Sequence, residues 1–157
     1  MPLSTHSPEG LRRRPSPGFA AALCVVTAVI HLEDQNWFSF DKTPGYVQVG
    51  YVFLEIAGLV TAWLLLTRPD RTAWLLAAGV GLGPFVGYVL SRGPGLPGYT
   101  DDKGAWSEPL GVVSLIVEGL LFLTALAALT APRAPESRHA QQEAGAPRDA
   151  ERDPAIR

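Results

Sequence analysis

Two glutamates, Glu55 and Glu118, each lie alone in an apolar run that is long enough to cross a bilayer. The first run is Tyr46–Thr67 and the second is Pro109–Thr130. An ionisable side chain at the bilayer centre costs at least about 2.5 kcal/mol on insertion scales, so its presence points to a functional site. The two carboxyl groups therefore predict a polar patch inside the protein. They are the first candidates for a site that binds a ligand, a proton or a cation.

Other polar residues recur at helical spacing beside these acids. Tyr51 precedes Glu55 by four residues, and His31 and Asp34 are three residues apart at the end of the first apolar run. At a helical rise of about 1.5 Å per residue, each glutamate lies roughly 13 Å below the membrane boundary, and His31 lies roughly 9 Å below it. The candidate binding residues are therefore Glu55, Glu118, His31, Tyr51 and Asp34.

The same residues also fit a purely structural role. A protonated glutamate can hydrogen-bond Tyr51, Ser114 or a backbone carbonyl and so hold helices together, and His31 can bond Asp34 or a loop. A His–Glu–Glu set is chemically suited to a metal ion, but its residues lack a diagnostic spacing. Haem with two histidine ligands is not favoured, because a single histidine of three lies in an apolar run. The cofactor and the metal therefore stay unknown at this stage.

Four apolar runs must position these side chains. A spanning helix needs about 20 residues, with a range of roughly 17 to 25, and the first run reaches this length if it continues to Trp37. The runs are Phe19–Leu32, Tyr46–Thr67, Thr72–Leu90 and Pro109–Thr130. They predict an all-α membrane four-helix bundle with antiparallel up-down topology over residues 18–131. Residues 1–17 and 132–157 are rich in Pro, Arg and small polar residues, and are predicted to be disordered tails.

The basic residues predict the orientation of the bundle. Of 13 Lys and Arg residues, ten lie in the two tails and the 68–71 connector, whereas Lys42, Arg92 and Lys103 lie in the other two loops. Because Lys and Arg concentrate on the cytoplasmic side, both termini are expected in the cytoplasm of a multi-pass cell-membrane protein. The first run resembles a signal peptide, but no A-x-A site follows it, so we expect an uncleaved helix.

The third run carries a glycine stripe. Gly79, Gly83 and Gly87 form two overlapping G-x-x-x-G steps, which let membrane helices approach closely. We expect this stripe to pack, either within the bundle or against a second copy or another membrane protein. Pro84 in the same run frees the carbonyl of Val80 from helical hydrogen bonding. The lipid bilayer is the remaining expected partner, and no nucleic-acid partner is predicted.

The connection between the third and fourth runs is dense in glycine and proline. Its segment Gly93–Gly98, which includes Pro97, could form a stiff lid over the polar interior, tied by Arg92 to Glu108 or to Asp34. The alternative is that Arg92, Trp106 and Glu108 only anchor the helix ends at the membrane interface. No nucleophile elbow, H-E-x-x-H, C-x-x-C or nucleotide loop is present, so the sequence offers no support for an enzyme.

Three features resemble a small uncharacterised family of four-span bacterial integral membrane proteins. They are His31 at the end of the first run, an S-R-x-x-G-L-P-G loop at residues 91–98, and an E-P-x-G-x-x-S-L-x-x-E segment at 108–118. The resemblance covers roughly residues 19–130. It implies the fold and the membrane location, and it brings no activity with it. The family motif maps onto Ser91, Arg92, Gly95, Leu96, Pro97, Gly98, Glu108, Pro109 and Glu118.

Overall fold

The computed structural model describes residues 15–37, 39 and 44–132. Within these residues the chain forms four helices, α1 (Pro17–Asp34), α2 (Gly45–Thr67), α3 (Arg71–Arg92) and α4 (Pro109–Thr130), and no strand beyond one isolated bridge. Each helix is long and apolar enough to cross a membrane. The predicted all-α four-helix fold is confirmed for this part of the chain. The two tails, predicted to be disordered, lie almost wholly outside the described residues.

Local sequence explains where the helices begin. Pro17 and Pro109 occupy the first turn of α1 and α4, where the missing N–H costs no hydrogen bond. The Ser16 hydroxyl accepts a bond from Phe19 N in α1, and the Asp70 carboxylate caps Ala73 N in α3 at 2.9 Å. The three-residue connector 68–70 leaves α2 and α3 as antiparallel neighbours.

The first helix ends earlier than its expected extension to Trp37. The chain turns after Asp34, and Asn36 and Trp37 adopt positive φ angles of 50° and 60°. A left-handed backbone cannot continue a right-handed helix, so α1 stops at 18 residues. This length still falls within the roughly 17 to 25 residues of a spanning helix. The turn places Gln35 inside the bundle, where it is 2% exposed.

The helices form a ring in chain order. α1 packs against α2 and α4, α3 packs against α4 and α2, and α1 touches α3 across one diagonal. The α1–α2 and α3–α4 interfaces are extensive, whereas the α2–α3 interface is smaller. The bundle is therefore two tightly packed helix pairs, and the seam between α2 and α3 is looser than the interfaces within the pairs.

The bundle has two chemically distinct halves. The apolar half, where α1 and α3 begin, holds the core cluster, which is built largely of small and aliphatic side chains: Ala20, Cys24, Ala62, Leu65, Ala73, Ala77, Leu121 and Ala125. The polar half, where α1 and α3 end, holds the buried or half-buried polar side chains that the sequence singled out. Antiparallel helices bring the C-terminal parts of α1 and α3 beside the N-terminal parts of α2 and α4, which produces this division.

Close helix packing uses different glycines from those expected. A Cβ at Gly81 would lie 2.7 Å from the Glu118 carbonyl oxygen of α4, whereas a Cβ at Gly79, Gly83 or Gly87 would meet nothing within 4 Å. The expectation that the G-x-x-x-G stripe packs within the bundle is wrong. Gly81 is two residues from Gly79 and from Gly83, about 200° around the helix, so it faces α4 while the stripe faces away. Packing by the stripe on another chain stays a prediction.

Candidate ligand-binding site

Glu118 is the most deeply buried acid of the polar half. Its side chain lies in α4 and the residue is 1% exposed. Its Oε1 atom lies 3.0 Å from His31 Nε2 of α1 and accepts a hydrogen bond of 2.5 Å from Ser114 Oγ, one turn earlier in α4. Two helices therefore converge on one carboxylate oxygen, which fixes the orientation of the whole carboxyl group.

The second oxygen of this carboxyl group has no such support. Glu118 Oε2 is buried, and no hydrogen-bond partner for it occurs among the described residues. A buried polar atom left without a partner costs about 1–3 kcal/mol. The hydroxyls of Thr27 and Thr61 are also buried without a partner, but neither residue lines the cavity described below. Glu118 Oε2 is thus an oriented acceptor with unused capacity in the polar half.

Glu55 lies in a different environment from Glu118. Its Oε1 accepts a hydrogen bond from Gln35 Nε2, and the Gln35 amide also donates to the His31 carbonyl at 3.3 Å. Gln48 Nε2 in turn donates to Gln35 Oε1. These bonds join the end of α1 to the first half of α2. The two predicted acids therefore have separate partners, and Glu55 belongs to an amide network between α1 and α2.

Gln35 is the residue of this network that the sequence interpretation missed. It follows His31 by four residues, and a buried amide is as informative as a buried acid. The sequence predicts that the first helix continues to Trp37, which would make Gln35 part of its last turn. The turn that begins at Gln35 carries its side chain inward instead. A polar residue directly after an apolar run, one turn from His31, was the available signal.

Tyr51 and Asp34 complete the predicted set. The Tyr51 hydroxyl donates to Asp34 Oδ2 at 2.5 Å, which links α2 to the end of α1. The Tyr51 ring meets the His31 ring edge to face, with centroids 5.4 Å apart. An edge-to-face contact of this kind holds the imidazole in place. Asp34, Tyr51, His31 and Glu118 thus form a continuous polar surface.

The predicted tie between Arg92 and Glu108 is present. Arg92 is 8% exposed at the end of α3, and its guanidinium bonds Glu108 Oε2 at 2.5 Å and Asp102 Oδ2 at 3.3 Å. The same group stacks on the Tyr88 ring, 3.9 Å from the centroid. It also donates to the Ala105 carbonyl at 3.3 Å. One arginine therefore organises the loop between α3 and α4, and Asp34, the alternative partner, bonds Tyr51.

The same loop reaches across to α2. The Tyr46 hydroxyl donates to the Pro97 carbonyl at 2.7 Å. Gly95 and Gly98 adopt φ angles of 85° and 69°, which the tight turn between them requires and which other residues rarely adopt. Tyr99, which closes this turn, is buried and donates to Asp102 at 2.9 Å. Burial raises the pKa of the Tyr99 hydroxyl, and the bond to Asp102 raises it further, so this group stays a neutral donor.

A cavity of about 550 Å³ runs between α2 and α3 into the polar half. Ligand pockets commonly measure about 300–1,000 Å³. The polar side chains on its wall are His31, Asp34, Tyr46, Tyr51, Tyr88, Ser91, Arg92, Tyr99, Asp102, Glu108, Ser114 and Glu118. The apolar part of the wall includes Phe53, Leu54, Ala57, Leu75, Leu76 and Val80, together with Gly79, Gly83, Pro84 and Gly87. Glu55 is not part of this wall.

The donor set of the cavity suits hydrogen bonding and charge pairing. Across residues 15–37, 39 and 44–132, no group of three His, Cys, Asp or Glu side chains is placed to hold a metal ion. The His–Glu–Glu set considered from the sequence is thus not brought together there. What the wall offers is an oriented carboxylate oxygen beside an imidazole, with hydroxyls and further carboxylates toward the loop.

The fold and the polar interior are those of a small polytopic membrane protein. Comparisons of the chain with protein-family models, with curated proteins and with solved structures gave no match.

Proposed function

We propose that this membrane protein binds a small ligand that carries a protonated amine or another strong hydrogen-bond donor, and that Glu118 recognises it. The observation that carries this proposal is the Glu118 carboxyl group. One oxygen is held by His31 and Ser114, and the other is buried without a partner among the described residues. Glu118 is also one of the residues that line the cavity. A donor on the ligand would supply the missing bond, and a charged donor makes the stronger one.

The alternative role, in which buried acids only fix helix packing, fits Glu55 better than Glu118. Glu55 bonds Gln35 between α1 and α2 and lies outside the cavity wall. A scaffold group of this kind needs only satisfied hydrogen bonds. We therefore assign the two predicted acids different roles, with Glu55 as a packing residue and Glu118 as the ligand-recognition residue.

The test uses butylammonium as the probe and purified protein in lipid nanodiscs. A ligand that binds the folded state raises thermal stability by an amount set by its concentration and dissociation constant. Glu118→Gln keeps the shape of the side chain but replaces the carboxyl group with an amide, which cannot carry a negative charge, so binding should weaken at least tenfold. Glu55→Gln, the matched control, should change binding less than twofold. Absence of butylammonium binding, or equal losses in the two variants, would overturn the proposal.

The orientation of the site is part of the same proposal. The charge distribution favours cytoplasmic termini, and with this orientation the polar half would open toward the outside of the cell membrane. Reporter fusions after Arg71 and Arg133 should read cytoplasmic, and a fusion after Asp102 should read external. An external signal after Arg133 would contradict this topology, since it requires an odd number of spans before that residue.

A further inference from the structure

We infer that the ligand is a membrane amphiphile with a single apolar chain and a protonated amine head, and that it enters sideways from the bilayer between α2 and α3. This inference rests on the proposed function, because the amine head is placed at Glu118. It adds the chemical class of the ligand, the path of its chain and the route by which it enters.

The shape of the cavity favours a chain. Its wall on α3 extends from Arg92 to Leu75, a distance of about 25 Å along the helix at 1.5 Å per residue. A volume of about 550 Å³ spread over that length is long and narrow. Its polar groups extend from Arg92 to Glu118, whose backbone packs on α3 at Gly81, and the end near Leu75 is apolar. A molecule that fills it must therefore be polar at one end and apolar at the other.

The glycine stripe on α3 borders an opening from the apolar part of the cavity to the lipid. Gly79 and Gly83 lie on the wall, and a Cβ at either position would meet nothing within 4 Å. Phe53 of α2 and Leu75 of α3 flank this opening and are 73% and 52% exposed. At membrane depth these surfaces face lipid, so a hydrocarbon chain can slide between the helices without crossing water. Larger side chains on the stripe would narrow the cleft.

Charge favours a cationic head over an anionic one. Among the described wall residues, the carboxyl side chains of Asp102, Glu108 and Glu118 stand against one guanidinium, that of Arg92. Two of these carboxylates already bond the guanidinium. The remaining basic group is the imidazole that shares a carboxylate oxygen with Ser114. An anionic headgroup would meet an excess of like charge, whereas an ammonium group would reduce it.

The decisive probe is dodecylammonium with a photoreactive diazirine in the distal part of its chain. After illumination in nanodiscs, one label per chain should be found on the α2 and α3 segments around Ala57 and Leu75, and excess underivatised dodecylammonium should displace it. Gly83→Leu should reduce this labelling at least tenfold. Gly119→Leu is the matched control, because a Cβ at Gly119 also meets nothing within 4 Å and Gly119 lies outside the cavity wall.

The outcomes separate the two proposals. If butylammonium binds in a Glu118-dependent way but the diazirine labels lipid-facing residues at random, the proposed function stands and the chain assignment is wrong. If neither amine binds at Glu118, both proposals fail. If Gly83→Leu instead converts a dimer to a monomer and no specific labelling occurs, the stripe packs on a second copy of the chain, and the amphiphile inference is overturned.

Discussion

The apolar half and the polar half of this bundle are built from the same helices, but one is closely packed and the other borders a cavity. In the apolar half, small side chains such as Ala77 and Ala125 are fully buried and leave the helices in close contact. In the polar half, a buried carboxylate and a buried guanidinium border a cavity, and an amide network joins the end of α1 to α2. The comparison shows that the close packing of small side chains is concentrated at one end of this bundle, while the other end carries polar groups that packing alone would reject.

The same contrast appears between the buried Glu118 and the partly buried Glu55. Glu55 is bonded within a chain of amides that joins α1 to α2, whereas Glu118 has one satisfied oxygen and one without a partner in the described chain. Buried polar groups in folded proteins are nearly always hydrogen-bonded. Glu118 Oε2 is an exception among the described residues, and it is the observation on which the proposed ligand-binding role rests.

The largest expected effect comes from filling the tight contact between α3 and α4. Gly81→Val should destabilise the protein by about 3 kcal/mol, because its Cβ would press on the backbone of α4, which cannot move aside. Thermal melting in detergent measures the change. Gly83→Val, on the cavity side of the same helix, should change stability by less than about 1 kcal/mol. Equal losses would mean that α3 is rotated from its position here.

A smaller effect is expected at the loop. Arg92→Lys should cost about 2 kcal/mol, because an ammonium group cannot reproduce the fork of bonds to Glu108, Asp102 and the Ala105 carbonyl. Both carboxylates are partly exposed and can regain water, which limits the loss. Limited proteolysis between residues 93 and 108 should become faster in this variant. Unchanged cleavage and melting would show that Arg92 only anchors the helix end.

The smallest effect is expected when Glu55, which accepts a hydrogen bond from Gln35, is replaced by the neutral residue Gln. Glu55→Gln should change stability by less than about 0.5 kcal/mol, because the amide oxygen can still accept the bond from Gln35. Glu55→Leu should cost about 1–2 kcal/mol, since it leaves the buried Gln35 amide without this acceptor. Chemical or thermal unfolding of the pair gives both values. A large loss in Glu55→Gln would show that the charge itself is needed there.

Long apolar runs made the helices predictable. The predicted bounds of α2, α3 and α4 differ from those of the structure by at most two residues, because membrane length and punctuation by Pro, Asp and Arg leave few alternatives. The approach of His31 to Glu118 was also within reach of sequence reasoning, since both were placed at similar depth on polar faces. The number of residues from each helix end is enough to predict that the two side chains lie at a similar depth in the bundle.

The assignment of partners was not predictable in the same way. Small residues at four-residue spacing suit both a packed interface and the wall of a cavity. The packing role expected of Gly83 therefore belongs to Gly81, for which the sequence predicted no role. Likewise, the hydrogen bond between Glu55 and Gln35 depends on the end of α1 at Asp34. The turn that follows directs the Gln35 side chain into the bundle. Such contacts are decided by tertiary packing, which the spacing of residues in a single sequence does not reveal.

The most direct test of the central claim is a crystal structure grown from lipid in the presence of 12-bromododecylammonium. We expect the ammonium nitrogen within about 3.2 Å of Glu118 Oε2, a hydrogen-bond distance, and one anomalous bromine peak between α2 and α3. A Glu118 Oε2 that is bonded by a protein group, with bromine found only among annular lipids, would contradict the assignment of the polar half as a binding site.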